Sequence, residues 1–354
     1  MKIVHVVYSL EMGGAEILVA QLCRLQRSHG HQVSVVVYSN LGTLGAALLS
    51  EGIPVRVLGE APLLTTFLRF ISELRGLRPD VVHCHNPAPT LQAAIPAWLA
   101  GAKCIVSTRH SLVAPPYERG AEIAYNVVAR FCDWVVGICD ATCENLRHTP
   151  WASRERIVRV YNGVDPVEPA LPPAKQGFTL LFVGRLAQVK NLSTLVRATA
   201  LALPRIPDLN LWLVGHGRER ESLEALVHEL GIAGSVTFWG ERLDVDGFFR
   251  AADVYCMSSV SEGLPMSLLQ AMSVGLPAIV TDVGGMAEVV RNANAGLTSP
   301  VGDAAAMADA IVELASDEAR RRLFARNACT AYNENFTLKR MDQSYMSLYS
   351  RPRG

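Results

Sequence analysis

Short apolar runs rich in β-branched residues alternate with amphipathic helical patterns along almost the whole chain, and this alternation most narrows what it can fold into. Residues 2–9, KIVHVVYS, read as a strand, LEMGGAE as a glycine turn and ILVAQLCRLQRSHG as a helix. The unit repeats as HQVSVVVYS with a helix near Gly45–Ser50, PVRVLG with a helix from about Leu63 to Arg75, and DVVHCH with a helix near Leu91–Leu99. KCIVSTRHS with a helix near Arg119–Phe131, and WVVGICD with a helix from about Ala141, complete the series. Strands alternating with helices imply an α/β fold with a parallel sheet covered on both faces.

The alternation stops between Asn162 and Gly177, where Pro166, Pro169, Pro172 and Pro173 leave neither helical nor strand period. It restarts with FTLLFVGR and continues through LNLWLVG, SVTFWG, DVYCMS, PAIVTD and AGLTSP, each separated by a helical pattern. The expectation is therefore two doubly wound Rossmann-like domains facing across a cleft. Residues 1–165 form the first, 166–177 a linker and 178–336 the second, and the helical segment 337–354 packs back on the first. In open parallel sheets ligands bind beyond the carboxyl ends of the strands, so the cleft is the expected site.

A length of 354 residues suits two domains. The 33 basic residues balance the 33 acidic ones, which argues against nucleic acid as the main partner. Eight cysteines without a CxxC pair read as buried thiols of a reducing compartment. The opening MKIVHVVYSL is too short for a signal peptide, and no later apolar run is long enough to span a bilayer. The expectation is a cytoplasmic protein. The segment PLLTTFLRFISELRGLRP, with Arg69, Arg75 and Arg78, reads either as an amphipathic helix packed on the sheet or as a peripheral contact with an anionic membrane at its inner face.

Several stretches could carry chemistry. In Glu262–Gln270, EGLPMSLLQ, a proline stands at the start of an apolar helical pattern. If Pro265 opens that helix, the amides near Leu264 to Ser267 suit a phosphate, with Glu262 in the loop before it and Gln270 between one and two turns inside. The plainer reading is a well-capped helix start. Gly13-Gly14 opens the first helix, where the backbone can approach an anion closely, although a tight turn alone gives the same pattern. Gly215-His216-Gly217 lacks the third glycine of a dinucleotide fingerprint. Arg185 and Lys190 follow the strand ending near Val183, where a planar fork and a point charge can grip a diphosphate, or serve as solvated loop cations.

Asp244 and Asp246 have the spacing of a divalent-metal pair, but they precede GFFRAAD and read better as acids capping a helix; no metal is expected. His83 and His85 point to one face of a strand with no third ligand in view, so a strand end with His85 near the cleft is favoured over a metal site. His110 closes the fifth strand and projects toward the cleft, or is a satisfied loop histidine. Asn162 begins an Asn-Gly turn at the cleft floor, a turn that needs no function.

In their order and spacing, GGAE at 13–16, TRH at 108–110, NGVD at 162–165, VGRLAQVKN at 183–191 and EGLPMSLLQAMSVGLPAIVTDVGG at 262–285 resemble the retaining nucleotide-sugar glycosyltransferases of family four, with GT-B architecture. The resemblance implies that Arg185 and Lys190 neutralise a donor diphosphate approached by the Gly14 amide, that His110 lies beside the donor sugar and that Glu262 binds sugar hydroxyls. Gly184 and the Gly263, Leu264, Pro265 and Met266 backbone belong to the same donor site, and Gly13, His85 and Asn162 to the acceptor or cleft side. Gln270 stands where the family typically has a second glutamate, which binds the nucleotide ribose; glutamine can still hold a diol but loses the charge-assisted bond. The implied activity moves a hexose from a nucleoside diphosphate sugar to a glycan or lipid-linked acceptor hydroxyl with retention, without a metal or further cofactor. The competing readings are a nucleotide-sugar epimerase of the same architecture and a non-catalytic nucleotide-sugar-binding protein.

Overall fold

A computed structural model describes residues 1–112, 119–149, 152–242 and 244–352. The chain divides into two units, Met1–Gly163 with Leu338–Gly354, and Val164–Thr337.

The first unit begins with β1 (Lys2–Val7), α1 (Gly14–Ser28), β2 (Gln32–Val37), α2 (Gly42–Ser50), β3 (Val55–Val57) and α3 (Leu63–Leu77). It continues through β4 (Val81–His85), α4 (Pro87–Leu99), β5 (Cys104–Arg109), α5 (Arg119–Val128), β6 (Trp134–Gly137), α6 (Asp140–His148) and β7 (Ile157–Arg159). The strands form a seven-stranded sheet in the order β3-β2-β1-β4-β5-β6-β7, parallel throughout. Val4, Val6, Val82, Cys84 and Ile105 are buried with Ala93, Ala94 and Ala97 of α4, while Val7, Val35 and Val37 are buried with Val19 and Cys23 of α1 and Leu48 of α2. A sheet covered on both faces explains strands that are apolar almost without interruption. Helix α4 starts four residues earlier than its apolar pattern suggests, because Pro87 and Pro89 occupy first-turn positions whose N–H groups have no helical partner anyway.

The second unit runs through β8 (Phe178–Val183), α7 (Leu192–Ala202), β9 (Leu209–Val214), α8 (Arg220–Glu229), β10 (Val236–Gly240), α9 (Asp246–Ala251) and β11 (Val254–Met257). It closes with α10 (Met266–Ser273), β12 (Ala278–Thr281), α11 (Gly284–Asn292), β13 (Gly296–Ser299), α12 (Ala304–Ser316) and α13 (Glu318–Ala331). Its six strands are also parallel, in the order β10-β9-β8-β11-β12-β13. In both sheets the strand order reverses beside the first strand, between β1 and β4 and between β8 and β11, which is where an open α/β sheet leaves a ligand crevice at its carboxyl edge.

Residues 165–177 carry no helix or strand, yet the segment is tied into the second unit. Arg250 of α9 donates to the Val167 and Glu168 carbonyls, and the Val167 N–H donates to Ser273 Oγ at 3.1 Å. The final helix, α14 (Leu338–Tyr349), rejoins the first unit, where Tyr345 and Tyr349 are fully buried against β4 and β5.

Candidate active site

At the carboxyl edge of the second sheet, β8 is followed by Gly184, whose φ of 154° lies in the region that favours glycine. Gly215, after β9, has φ 138°, and a Cβ there would overlap the Gly184 carbonyl. The two turns therefore approach backbone to backbone, and the chain leaving Gly184 runs along the sheet edge. Arg185 follows, exposed and without an ion-pair partner among the described residues. A short 3-10 turn, Gln188–Lys190, then presents Lys190, whose Nζ pairs with Glu262 Oε1. Both side chains are about 15% exposed, Lys190 at 15% and Glu262 at 16%, so their charges meet in a largely dry setting. Ser259 Oγ adds a bond to the same carboxylate oxygen at 3.3 Å, and Ser258 Oγ donates to the Lys190 and Asn191 carbonyls at 3.0 and 2.9 Å. The loops after β8 and β11 are thus laced together at the crossover.

Helix α10 begins at Met266, one residue later than a proline-first helix requires, because Pro265 is extended with ψ 135°. The proline occupies the position just outside the helix and offers no N–H, so the amino end of α10 is supplied by Met266 and its successors. The Gly263 carbonyl accepts from the Gly285 N–H at 2.7 Å, and Tyr255 OH meets Ser267 Oγ at 2.7 Å, which fixes the loop from both sides. Gly263 and Leu264 are buried and Met266 half-buried. Gln270 lies half-buried one turn further along α10, and its side-chain amide has no protein partner among the described residues.

The first unit gathers its candidates at the matching edge. Gly13 is the residue before α1 and Gly14 its first member; a Cβ on Gly13 would meet the Glu16 carboxylate. Glu16, Tyr8 and His85 border one cavity of about 270 Å³ with Asn86 and Pro87. His110 follows β5, and its N–H donates to Asn86 Oδ1 at 3.1 Å. Asn162 is 4% exposed and precedes Gly163, whose N–H faces Met341 Sδ at 3.3 Å.

A third histidine joins His83 and His85 and is invisible at the level of spacing, since His5 reaches His83 only through the parallel register of β1 and β4. The ligand atoms of His5, His83 and His85 lie within 4.8 Å of one another, the spacing of a metal trio. The chemistry argues otherwise, because both nitrogens of each ring already have protein partners. His83 bonds Tyr349 OH and Thr108 Oγ1, both at 2.7 Å; His5 bonds Gln26 Oε1 at 2.9 Å and His85 at 3.0 Å; His85 bonds His110 Nε2 at 3.1 Å. Burial lowers all four histidines, His5 and His110 to about 4 and the other two well below their usual value. A second unanticipated pair is Arg109 with Glu122, a buried two-pronged ion pair with both bonds at 2.7 Å. Asp244 and Asp246 do not cap α9: Asp244 is held by Arg242 at 2.8 and 2.7 Å, and Asp246 accepts from the Glu168 N–H at 3.0 Å. The eight cysteines are free and all but Cys329 are buried.

Comparison with known proteins agrees with this arrangement. The Glycosyltransferase Family 4 model matches residues 12–168 and the Glycosyl transferases group 1 model residues 167–330. A lipopolysaccharide core biosynthesis glycosyltransferase of Rhizobium meliloti is 28% identical over 62% of this chain and 64% of its own length. A phosphatidyl-myo-inositol mannosyltransferase of Mycobacterium leprae is 28% identical over 91% of this chain and 89% of its own. The Anabaena protein HepE, solved in complex with UDP, superposes with a TM-score of 0.87 at 21% identity, covering 99% of this chain and 100% of that one, and so shares the GT-B fold. With the two family models meeting end to end, the chain belongs to the family 4, group 1 glycosyltransferases.

Proposed function

We propose that the protein is a retaining hexosyltransferase that takes its sugar from a nucleoside diphosphate donor and passes it to a hydroxyl of a glycan or lipid-linked acceptor. The observation that carries this reading is the Lys190–Glu262 pair held beside the buried Gly263 loop and the amino end of α10, at the strand-order reversal. Lys190 has three N–H donors and gives one to Glu262, which leaves donors for phosphate oxygens. Arg185, exposed on the same edge, adds a planar fork. The helix end contributes N–H groups aimed out of the fold. Each charge-assisted bond is worth about 1.5–3 kcal/mol.

Such a site stabilises the negative charge that develops on a departing diphosphate, the electrostatic form of catalysis that needs no covalent nucleophile. Glu262 then binds sugar hydroxyls and Gln270 the nucleotide ribose, and the family resemblance assigns Gly14 to a donor phosphate and His110 to the donor sugar. Gly13, His85 and Asn162 belong with the acceptor. UDP and UDP-glucose are the ligands found with HepE, which supports a uridine donor as the first to test. No helix of the described residues is long and apolar enough to cross a membrane. Leu63, Leu64 and Leu68 of α3 are nonetheless 82%, 71% and 57% exposed near Arg69, and this face supports a peripheral contact with anionic lipid through which a lipid-linked acceptor is reached. Incubation with a panel of UDP-, GDP- and ADP-sugars, with released nucleotide read by mass spectrometry, tests the reading. One donor consumed above the rest supports it; donor converted to an epimer, or bound without any turnover, refutes it.

A further inference from the structure

Four side chains in the first unit form a single hydrogen-bonded file. Gln26 of α1 is fully buried and its Oε1 meets His5 Nε2; His5 Nδ1 meets His85 Nε2; His85 Nδ1 meets His110 Nε2. The bonds measure 2.9, 3.0 and 3.1 Å, and the His5–His85 and His85–His110 rings stack with interplanar angles of 26° and 24°. At the far end His110 Nδ1 is buried and has no hydrogen-bond partner among the described residues.

The file has a direction. A carbonyl oxygen only accepts, so the Gln26 end requires a proton on His5 Nε2. A neutral imidazole carries one proton, which makes His5 Nδ1 an acceptor and places the next proton on His85 Nε2. The same step makes His85 Nδ1 an acceptor and protonates His110 Nε2. Each ring is thereby held in one tautomer, and the last leaves its Nδ1 as a bare lone pair. Burial keeps these rings neutral, so no second proton breaks the rule. The His110 backbone, bonded to Asn86 Oδ1, fixes the ring's base.

We propose that Gln26, more than one ring away from any substrate, is a positioning residue that acts through His5 and His85 to present the Nδ1 lone pair of His110 as an acceptor for a sugar hydroxyl. The assignment of that hydroxyl rests on the transferase reading above; the tautomer does not. A lone pair that accepts selects a ligand group that donates, and a buried acceptor left unpaired is costly, so the site discriminates against an analogue lacking that hydroxyl.

The full chain labelled with 15N-histidine, without substrate, gives the test by NMR. Nitrogen shifts separate protonated from bare ring nitrogens, and couplings across N–H···N bonds report which nitrogen donates. The expected pattern is a bare His110 Nδ1, protonated Nε2 on His5, His85 and His110, and couplings from His85 to His5 and from His110 to His85. A protonated His110 Nδ1, or missing couplings, overturns the file whatever the enzyme's activity. Gln26→Met should then mix the His110 tautomers and lower kcat about tenfold with donor KM little changed, while Gln26→Glu, which keeps an acceptor, restores the tautomer. An unchanged His110 tautomer in Gln26→Met overturns the role given to Gln26; should that variant not fold, His5→Gln, read the same way, replaces it. A correct tautomer in a protein that transfers no sugar counts against the hydroxyl assignment alone.

Discussion

Acidification should unfold the first unit before the second, because the first buries four imidazoles and gives none of them a carboxylate partner among the described residues. Burial holds His5 and His110 at about 4, and burial together with the neighbouring rings holds His83 and His85 well below the usual imidazole value. In the unfolded chain each titrates near 6.5. Below pH 6.5 the unfolded state therefore takes up protons that the folded state refuses, so this stability is complete above about pH 6.5 and is lost as the pH falls toward 4. His5 alone accounts for about 3 kcal/mol over that interval, His5 and His110 together give a slope of about 2.5 kcal/mol per pH unit near pH 5, and His83 and His85 act in the same direction. Against the 5–15 kcal/mol that typically holds a domain, a drop from pH 7 to pH 5 consumes much of the margin. Carboxylates held low by hydrogen-bonded cations, such as Glu51 by Arg24 and Asp80 by Lys103, lose their contribution only at lower pH and do not imitate the effect. Urea unfolding at successive pH values, followed by pulsed hydrogen exchange and mass spectrometry, separates peptides of β4 and β5 from those of β8 and β9. A β4 stability that changes by less than about 1 kcal/mol between pH 7 and 5, or falls only in parallel with β8, refutes the reasoning.

Lys190→Ala should lower turnover by about two to three orders of magnitude, by analogy with the loss of one oxyanion donor, and should leave Glu262 without its cation. Steady-state transfer rates check this, and an unchanged kcat with bound donor removes Lys190 from the chemistry. Gln270→Glu should keep activity, since the α10 side chain at this position is half-buried and not engaged by protein; a complete loss with the fold intact, judged by circular dichroism, would assign the amide a specific role. Replacing Leu63, Leu64 and Leu68 with serine should abolish co-sedimentation with anionic vesicles while leaving transfer to a soluble acceptor intact. Equal sedimentation of both proteins counts against the membrane face.

The parallel strands were legible because a sheet covered on both sides demands apolar runs, and KIVHVV, FTLLFV and their like show them. β7 was not, for Ile157–Arg159 is three residues long and sits between the charged Arg154–Arg156 turn and the Asn162-Gly163 turn, with no helical pattern after it to mark a further strand–helix unit. Arg185, Lys190 and Glu262 could be picked out since each stands in a loop leaving the carboxyl end of a strand, which is where an open parallel sheet binds its ligand. The Lys190–Glu262 contact itself was hidden, because its partners come from loops 72 residues apart brought together by the β8–β11 crossover. The same holds for His5, whose position inside an apolar strand looks like a packing residue until register sets it beside His83. Pro265 fell one place outside its helix for a local reason, since ψ 135° continues the extended entry rather than turning the chain.

The first unit also imposes an order on synthesis. Tyr345 and Tyr349, which close over His83 and Thr108, are carried by α14, beyond the whole of the second unit in the chain. As the polypeptide emerges from the ribosome, Val164–Thr337 is continuous and can reach its native contacts while the histidines of β1 and β4 still lack their lid. During that interval the imidazoles stay hydrated and titrate near 6.5, and docking of the last helix takes them out of water. Completion of the amino-terminal unit is thus a late event that acid opposes, and a chain shortened by its final turn or two should stall with a finished second unit and an unsealed first.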